Sequence, residues 1–220
     1  KDYLKDVEGS VLIELGETRL VCSATLQEGV PPFLKGSRQG WVTAEYGMLP
    51  RSTPQRIPRW RDSGRTHEIQ RLIGRSLRSV ADLSQLKDHT IIVDCDVIQA
   101  DGGTRTTAIT GGFVAFYEAV QKMSVQGMLE SFPISHFVAA VSCGIVDDDM
   151  LLDLNYEEDS GASADMNVVM TDDGKIVEIQ CTAERQTFTL DEMEQLIRMA
   201  KKGIEQLIEA QRGCVSIRLV

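Results

Sequence analysis

Ile91-Ile92-Val93-Asp94-Cys95-Asp96-Val97-Ile98, followed closely by Asp101-Gly102-Gly103-Thr104-Arg105-Thr106-Thr107, is the stretch that decides the fold. The first part is an apolar, β-branched run and reads as a strand over residues 90–99. The glycine pair ends it, and from about residue 106 to 123 Ile109, Phe113, Phe116 and Val120 recur at helical spacing. Gly111-Gly112 lies inside that helix. Each glycine there costs about 1 kcal/mol against alanine, so a closely packed neighbour is expected.

Working outward, residues 11–14 and 19–26 read as a hairpin about Gly16-Glu17, and residues 40–48 have strand character. Residues 49–64 read as a long, exposed, basic loop. A helix is expected from Thr66, its N-cap, with Ile69, Leu72, Ile73, Leu77 and Val80 on one face. Downstream, strands are expected near residues 137–146, 165–171 and 175–182, the last two joined at Asp172-Asp173-Gly174. Thr189 and Glu192 form a capping box for a final helix carrying Met193, Leu196, Ile197, Ala200, Ile204, Leu207 and Ile208 at helical spacing. No linker or second core interrupts this pattern, so the expectation is one α+β domain over residues 1–220.

With 42% hydrophobic and 25% charged residues in 220, the composition is that of a soluble globular protein, and it excludes disorder, collagen and coiled coil. No apolar run approaches the roughly 20 residues that cross a bilayer, and the first residues lack the apolar stretch of a signal peptide. A cytoplasmic protein without a membrane partner is the expectation. Cys22, Cys95, Cys143, Cys181 and Cys214 are odd in number and far apart, which reads as reduced thiols. His67, His89 and His136 show no metal-site spacing.

The formal net charge is −10, yet it is strongly segregated. Residues 35–78 hold ten basic and three acidic side chains, whereas residues 147–173 hold ten Asp/Glu and no Lys or Arg. Arg51, Arg56, Arg59 and Arg61 lie in a loop broken by Pro50, Pro54 and Pro58, and Arg65 opens the helix after it. Arginine pairs with phosphate bidentately and stacks on bases, as a loop that threads a single strand requires. A solvated surface loop is the other reading. Arg71, Arg75 and Arg78 lie opposite the apolar stripe and suit solvent or a subunit contact.

The turn at residues 101–107 has the layout of a phosphate site. Glycines let backbone N–H groups approach an anion, the helix start adds its positive end, and Thr104 and Arg105 supply a hydroxyl and a guanidinium. The same residues also suit a plain turn with a capping threonine. In the acidic segment, Asp159 and Asp165 flank the small-residue loop Ser160-Gly161-Ala162-Ser163-Ala164, which allows both to reach one point. Oxygen ligands without Cys or His suit Mg²⁺ or Mn²⁺ beside phosphates, although solvated turn carboxylates have the same composition.

Four stretches, taken in order, resemble the ribonuclease PH family: Gly40-Trp41-Val42-Thr43-Ala44-Glu45-Tyr46-Gly47-Met48-Leu49-Pro50-Arg51; Gly64-Arg65-Thr66-His67-Glu68-Ile69-Gln70-Arg71-Leu72-Ile73-Gly74-Arg75; Gln99-Ala100-Asp101-Gly102-Gly103-Thr104-Arg105-Thr106; and residues 153–165. Together they run from Gly40 to Asp165. The resemblance implies a fold like the second domain of ribosomal protein S5 and a hexameric ring built as a trimer of dimers. It implies phosphate-dependent trimming of tRNA 3′ ends, with nucleoside 5′-diphosphates released reversibly. Inorganic phosphate would be the co-substrate, held by Arg65, Gly103, Thr104 and Arg105. Asp159 and Asp165 would hold the metal and the acid function, and Arg51, Arg56 and Arg59 would guide the RNA. A non-catalytic RNA-binding ring subunit of an exosome-like complex is the alternative, with a hydrolytic metal nuclease behind it. Two departures stand out: the segment that usually precedes Lys1 is missing, and the loop between Arg59 and Gly64 looks about four residues short.

Overall fold

The computed structural model describes residues 1–59 and 63–215. Two four-stranded sheets enclose a central helix. The first contains β1 (Gly9–Leu15), β2 (Thr18–Glu28), β3 (Trp41–Met48) and β4 (His89–Gln99), in the order β1-β2-β4-β3. β1 and β2 form the expected hairpin, while β3 runs parallel to β4. A parallel pair needs a crossover, and α1 (Gly64–Arg78) supplies it, packing on β3.

The deciding stretch folds as its pattern requires. β4 leads through the glycine turn into α2 (Thr104–Val125), which packs on β1, β2 and β4 on one side and β5 on the other. A helix buried on both sides is apolar nearly all round, and Phe113, Phe116 and Tyr117 are fully buried. The glycine pair serves this packing. A Cβ on Gly111 would come within 2.7 Å of Ile13 Cγ2, and one on Gly112 within 3.3 Å of Val93 Cγ1.

The second sheet comprises β5 (Val138–Val146), β6 (Asp149–Leu152), β7 (Ala164–Thr171) and β8 (Ile176–Ala183), in the order β6-β5-β7-β8 and antiparallel throughout. A short helix, α3 (Tyr156–Gly161), precedes β7, and α4 (Leu190–Cys214) covers β5, β6 and β7. Both halves of the Thr189/Glu192 capping box are formed. One continuous apolar cluster joins the two sheets through α2.

Three local expectations need correction. Ser63, in extended backbone, is the N-cap of α1, and its hydroxyl accepts the Thr66 N–H at 3.2 Å; Thr66 is a first-turn residue. β6 and α3 have no counterpart among the expected elements, and α3 takes in Ser160 and Gly161 of the small-residue loop. His136 does approach other metal-binding side chains, since single ligand atoms of His136, Asp172 and Asp173 lie within 4.8 Å of one another. Arg212 pairs with Asp172 at 2.7 Å and Lys175 with Asp173 at 2.6 Å, so this group is an internally neutralised ion-pair network. The cysteines are free thiols, with Cys22, Cys95 and Cys143 buried.

Candidate active site

The turn at residues 101–103 depends on its glycines. Gly102 and Gly103 have φ of +75° and +55°, a region that strains side chains with a Cβ. A Cβ on Gly102 would sit 2.1 Å from the Leu154 carbonyl oxygen, so glycine lets the turn press against the acidic segment. Thr18 of β2 secures the turn from behind. Its hydroxyl donates to the Gly102 carbonyl at 2.7 Å and accepts the Asp101 N–H at 2.8 Å. The Asp101 carboxylate accepts the Tyr156 N–H at 3.1 Å, joining the turn to the start of α3. Gly103 is the left-handed N-cap of α2, and no side chain caps that helix. Its N-terminus therefore keeps the anion-binding character of an uncapped helix start.

Arg65 lies in the first turn of α1 and Arg105 in the first turn of α2. Thr104 Oγ1 accepts the hydroxyl of Tyr46, a buried residue of β3, at 2.9 Å. Burial pushes the Tyr46 phenol up, while the Thr104 bond and the charges of Arg65 and Arg105 pull it down. Both guanidiniums thus act on one phenol beside Thr104. The Arg105 side chain is 19% exposed, and its Nη1 donates to Glu68 Oε1 at 3.3 Å and to Gln180 Oε1 at 3.0 Å.

The carboxylates approach from the second sheet. Asp159 ends up on α3 and Asp165 on β7. Burial raises the Asp165 carboxyl, the charges of Asp159 and Glu184 raise it further, and Arg105 opposes them. Asp153 is raised as well, by burial and then by Glu158 and Asp101. Tyr46 and Thr104 thus have Arg65 and Arg105 as electrostatic neighbours, and Arg105 in turn neighbours Asp165, which Asp159 also influences. For a hard divalent cation the fit lies in the donor set: the exposed Asp159 and the half-buried Asp165, two carboxylates that repel each other.

The arginine loop borders this site. Ala100 N–H donates to the Ser52 carbonyl at 2.8 Å and Leu49 N–H to the Val97 carbonyl at 3.0 Å, which pins the loop beside the glycine turn. Arg51, Arg56 and Arg59 are exposed. Arg59 and Arg65 share a cleft of about 620 Å³ with Tyr46, His67, Gln70 and Asp96. Arg61 and the shortened part of the loop lie outside the described residues. Thr18, Glu68, Gln180 and Glu184 belong to the neighbourhood too, and sequence reasoning missed them. Glu68 lies inside a motif that resembles the family; the other three carried no local signal.

A helix start whose N-cap is glycine thus has arginines and carboxylates among its neighbours beside an arginine-rich loop, on a two-sheet α+β fold. Solved structures share that fold. An Archaeoglobus fulgidus exosome with RNA bound to its active site superimposes with a TM-score of 0.78, covering 95% of this chain and 85% of that one at 20% identity. Rice Rrp46 does so with a TM-score of 0.78, covering 97% and 91% at 16% identity. The model for domain 1 of the 3′ exoribonuclease family matches residues 1–121, and that for domain 2 matches residues 136–203. Ribonuclease PH of Moorella thermoacetica is 55% identical over 216 residues, covering 96% of this chain and 86% of its own length. Ribonuclease PH of Neisseria meningitidis is 55% identical over 218 residues, covering 97% and 90%. The chain belongs to the 3′ exoribonuclease family. Its activity is that of a phosphate-dependent 3′ exoribonuclease, and the reading as a non-catalytic ring subunit is not favoured.

Proposed function

We propose that this chain trims the 3′ ends of tRNA precursors in the cytoplasm, acting as one unit over its length within a homohexameric ring. The observation that carries the chemistry is that Arg65 and Arg105 both act on Tyr46, whose hydroxyl bonds Thr104, while Arg105 and Asp159 both act on Asp165. Inorganic phosphate would sit against the α2 N-terminus, bound by Arg65, Arg105, the Thr104 hydroxyl and the Gly103 backbone. Held there, it attacks the phosphorus of the terminal phosphodiester in line, and the 3′ oxygen of the penultimate nucleotide leaves. The products are a nucleoside 5′-diphosphate and an RNA shorter by one residue. The cleaved bond's energy is kept in a new phosphoanhydride, so the reaction runs in both directions.

Catalysis in this arrangement is mainly electrostatic. The two guanidiniums and the helix start bring a charged nucleophile up to a charged diester and stabilise the added charge in flight. Asp159 and Asp165 would hold Mg²⁺ or Mn²⁺, which when bound supplies positive charge to the phosphate oxygens. Between them, those two carboxylates would hold the metal and bear the acid function. Arg51, Arg56 and Arg59 would guide the single-stranded 3′ end through backbone contacts and stacking. Comparing a tRNA carrying a 3′ extension with an unstructured RNA of equal length tests the substrate. Shortening that halts near the mature tRNA end supports the proposal, and equal degradation of both RNAs overturns it.

A further inference from the structure

Arg105 is held by Glu68 and by Gln180, a partner that no motif marks. Its Nη1 donates to Gln180 Oε1 at 3.0 Å, and the Nε2 of that amide donates to Glu178 Oε1 at 3.2 Å. Glu178 and Gln180 are two apart on β8, so they share a face of the strand. Arg75 of α1 grips Glu178 from outside with two bonds, Nε to Oε2 at 3.0 Å and Nη2 to Oε1 at 2.8 Å. The outcome is an unbroken chain, Arg75 to Glu178 to Gln180 to Arg105, running from α1 through β8 to the start of α2.

The order of groups along that chain has a chemical logic. A primary amide is uncharged and offers a donor at one end of its head and an acceptor at the other. The Arg75–Glu178 pair fixes which way it faces: the carboxylate takes the NH₂, and the oxygen is left for the guanidinium. Arg105 is thereby held by a neutral acceptor, which orients the cation without cancelling its charge. Its second partner, Glu68, is an anion, but at 3.3 Å and with a side chain 41% exposed it is the looser contact. An incoming phosphate can displace Glu68, whereas Gln180 stays in place.

We propose that Gln180, oriented by Glu178 and Arg75, is the positioning residue that holds Arg105 for phosphate. The proposal rests on the reading that Arg105 binds phosphate. It also gives β8 and α1, which fall in the stretches matched by the two different family domains, a shared part in one binding event. A glutamate at position 180 would repel Glu178 and neutralise Arg105. Leucine would leave Arg105 to Glu68 alone.

The test uses the full chain with Gln180→Leu, Gln180→Glu and Arg75→Gln. The readouts are the phosphate KM, the Kd of inorganic phosphate by calorimetry, and the Kd of a single-stranded RNA. Gln180→Leu is expected to raise the phosphate KM and Kd about tenfold, the weight of one charge-assisted hydrogen bond, with RNA Kd within about twofold of the parent. Gln180→Glu is expected to raise them further, and Arg75→Gln by about threefold. In an Arg105→Ala background, Gln180→Leu should add nothing, because the group it positions is gone. Should Gln180→Leu not fold, Gln180→Glu and Arg75→Gln carry the same comparison. An unchanged phosphate KM, additive losses in the double variant, or equal losses for phosphate and RNA would overturn the proposal. If the unaltered chain binds no phosphate and releases no diphosphate, it is the reading of the site that fails.

Discussion

Arg105 and Asp165 show how single side chains divide the work. On the proposed function, Arg105→Ala removes a cation that binds phosphate and neighbours Asp165. It is expected to raise the phosphate KM and lower turnover, together about a hundredfold or more in kcat/KM, while steady-state RNA binding stays largely intact. Asp165 bears the opposite burden. Its folded carboxyl lies above the usual aspartate range, through burial first and the charges of Asp159 and Glu184 second. The fold therefore disfavours the ionised form, a penalty present at neutral pH and relieved as pH falls through the raised value. Asp165→Asn is expected to abolish metal-dependent phosphorolysis and yet raise Tm at pH 7 by about 1–3 °C, measured by thermal melting. In the parent protein, activity should begin to fall on the acid side at a higher pH than an ordinary aspartate would give. The proposed site residues Arg65, Thr104, Arg105, Asp159 and Asp165 each lie in a stretch with its own chemical signature, which is what singles them out in the sequence. Thr18 and Gln180 were illegible because they reach the site across 84 and 75 residues of sequence, from strands whose local pattern announces only β structure.

Elements were legible where periodicity had room to repeat. α4 carries a complete capping box and several turns of apolar spacing, and it forms as expected. β6 has four residues and α3 has six, too few for a period to show, and α3 is acidic enough to look like loop. The omission matters, since α3 carries Asp159. The start of α1 was shifted for a related reason: Ser63 and Thr66 are both good caps, and only the extended backbone at Ser63 distinguishes them. Gly111 was read correctly as a close-packing site. Gly111→Val, whose Cβ would fall 2.7 Å from Ile13 Cγ2, should destabilise the fold by about 1–3 kcal/mol, lowering Tm by about 2–4 °C for each kcal/mol. The phosphate KM of the folded fraction should not change.

At the scale of the whole molecule, a net charge of −10 does not argue against RNA, because the charge is segregated. The arginine loop is pinned beside the glycine turn, and the acidic segment meets that turn through Leu154 and Tyr156. α2 lies between the sheets with its N-terminus at their junction, so one end of one helix gathers contributions from both. RNA grip should then be separable from phosphate grip. Arg56→Ala is expected to weaken binding of single-stranded RNA and to reduce the slope of log K against log salt by about 0.7, the value of one lost backbone contact, with the phosphate KM unchanged. The central claim is that inorganic phosphate, held by Arg65, Thr104 and Arg105, is the attacking group. Incubation with ³²P-labelled orthophosphate, Mg²⁺ and unlabelled RNA tests it most directly. The account predicts nucleoside 5′-diphosphates labelled in the β-phosphate, formed only when phosphate is present; unlabelled nucleoside monophosphates, released equally without phosphate, would contradict it.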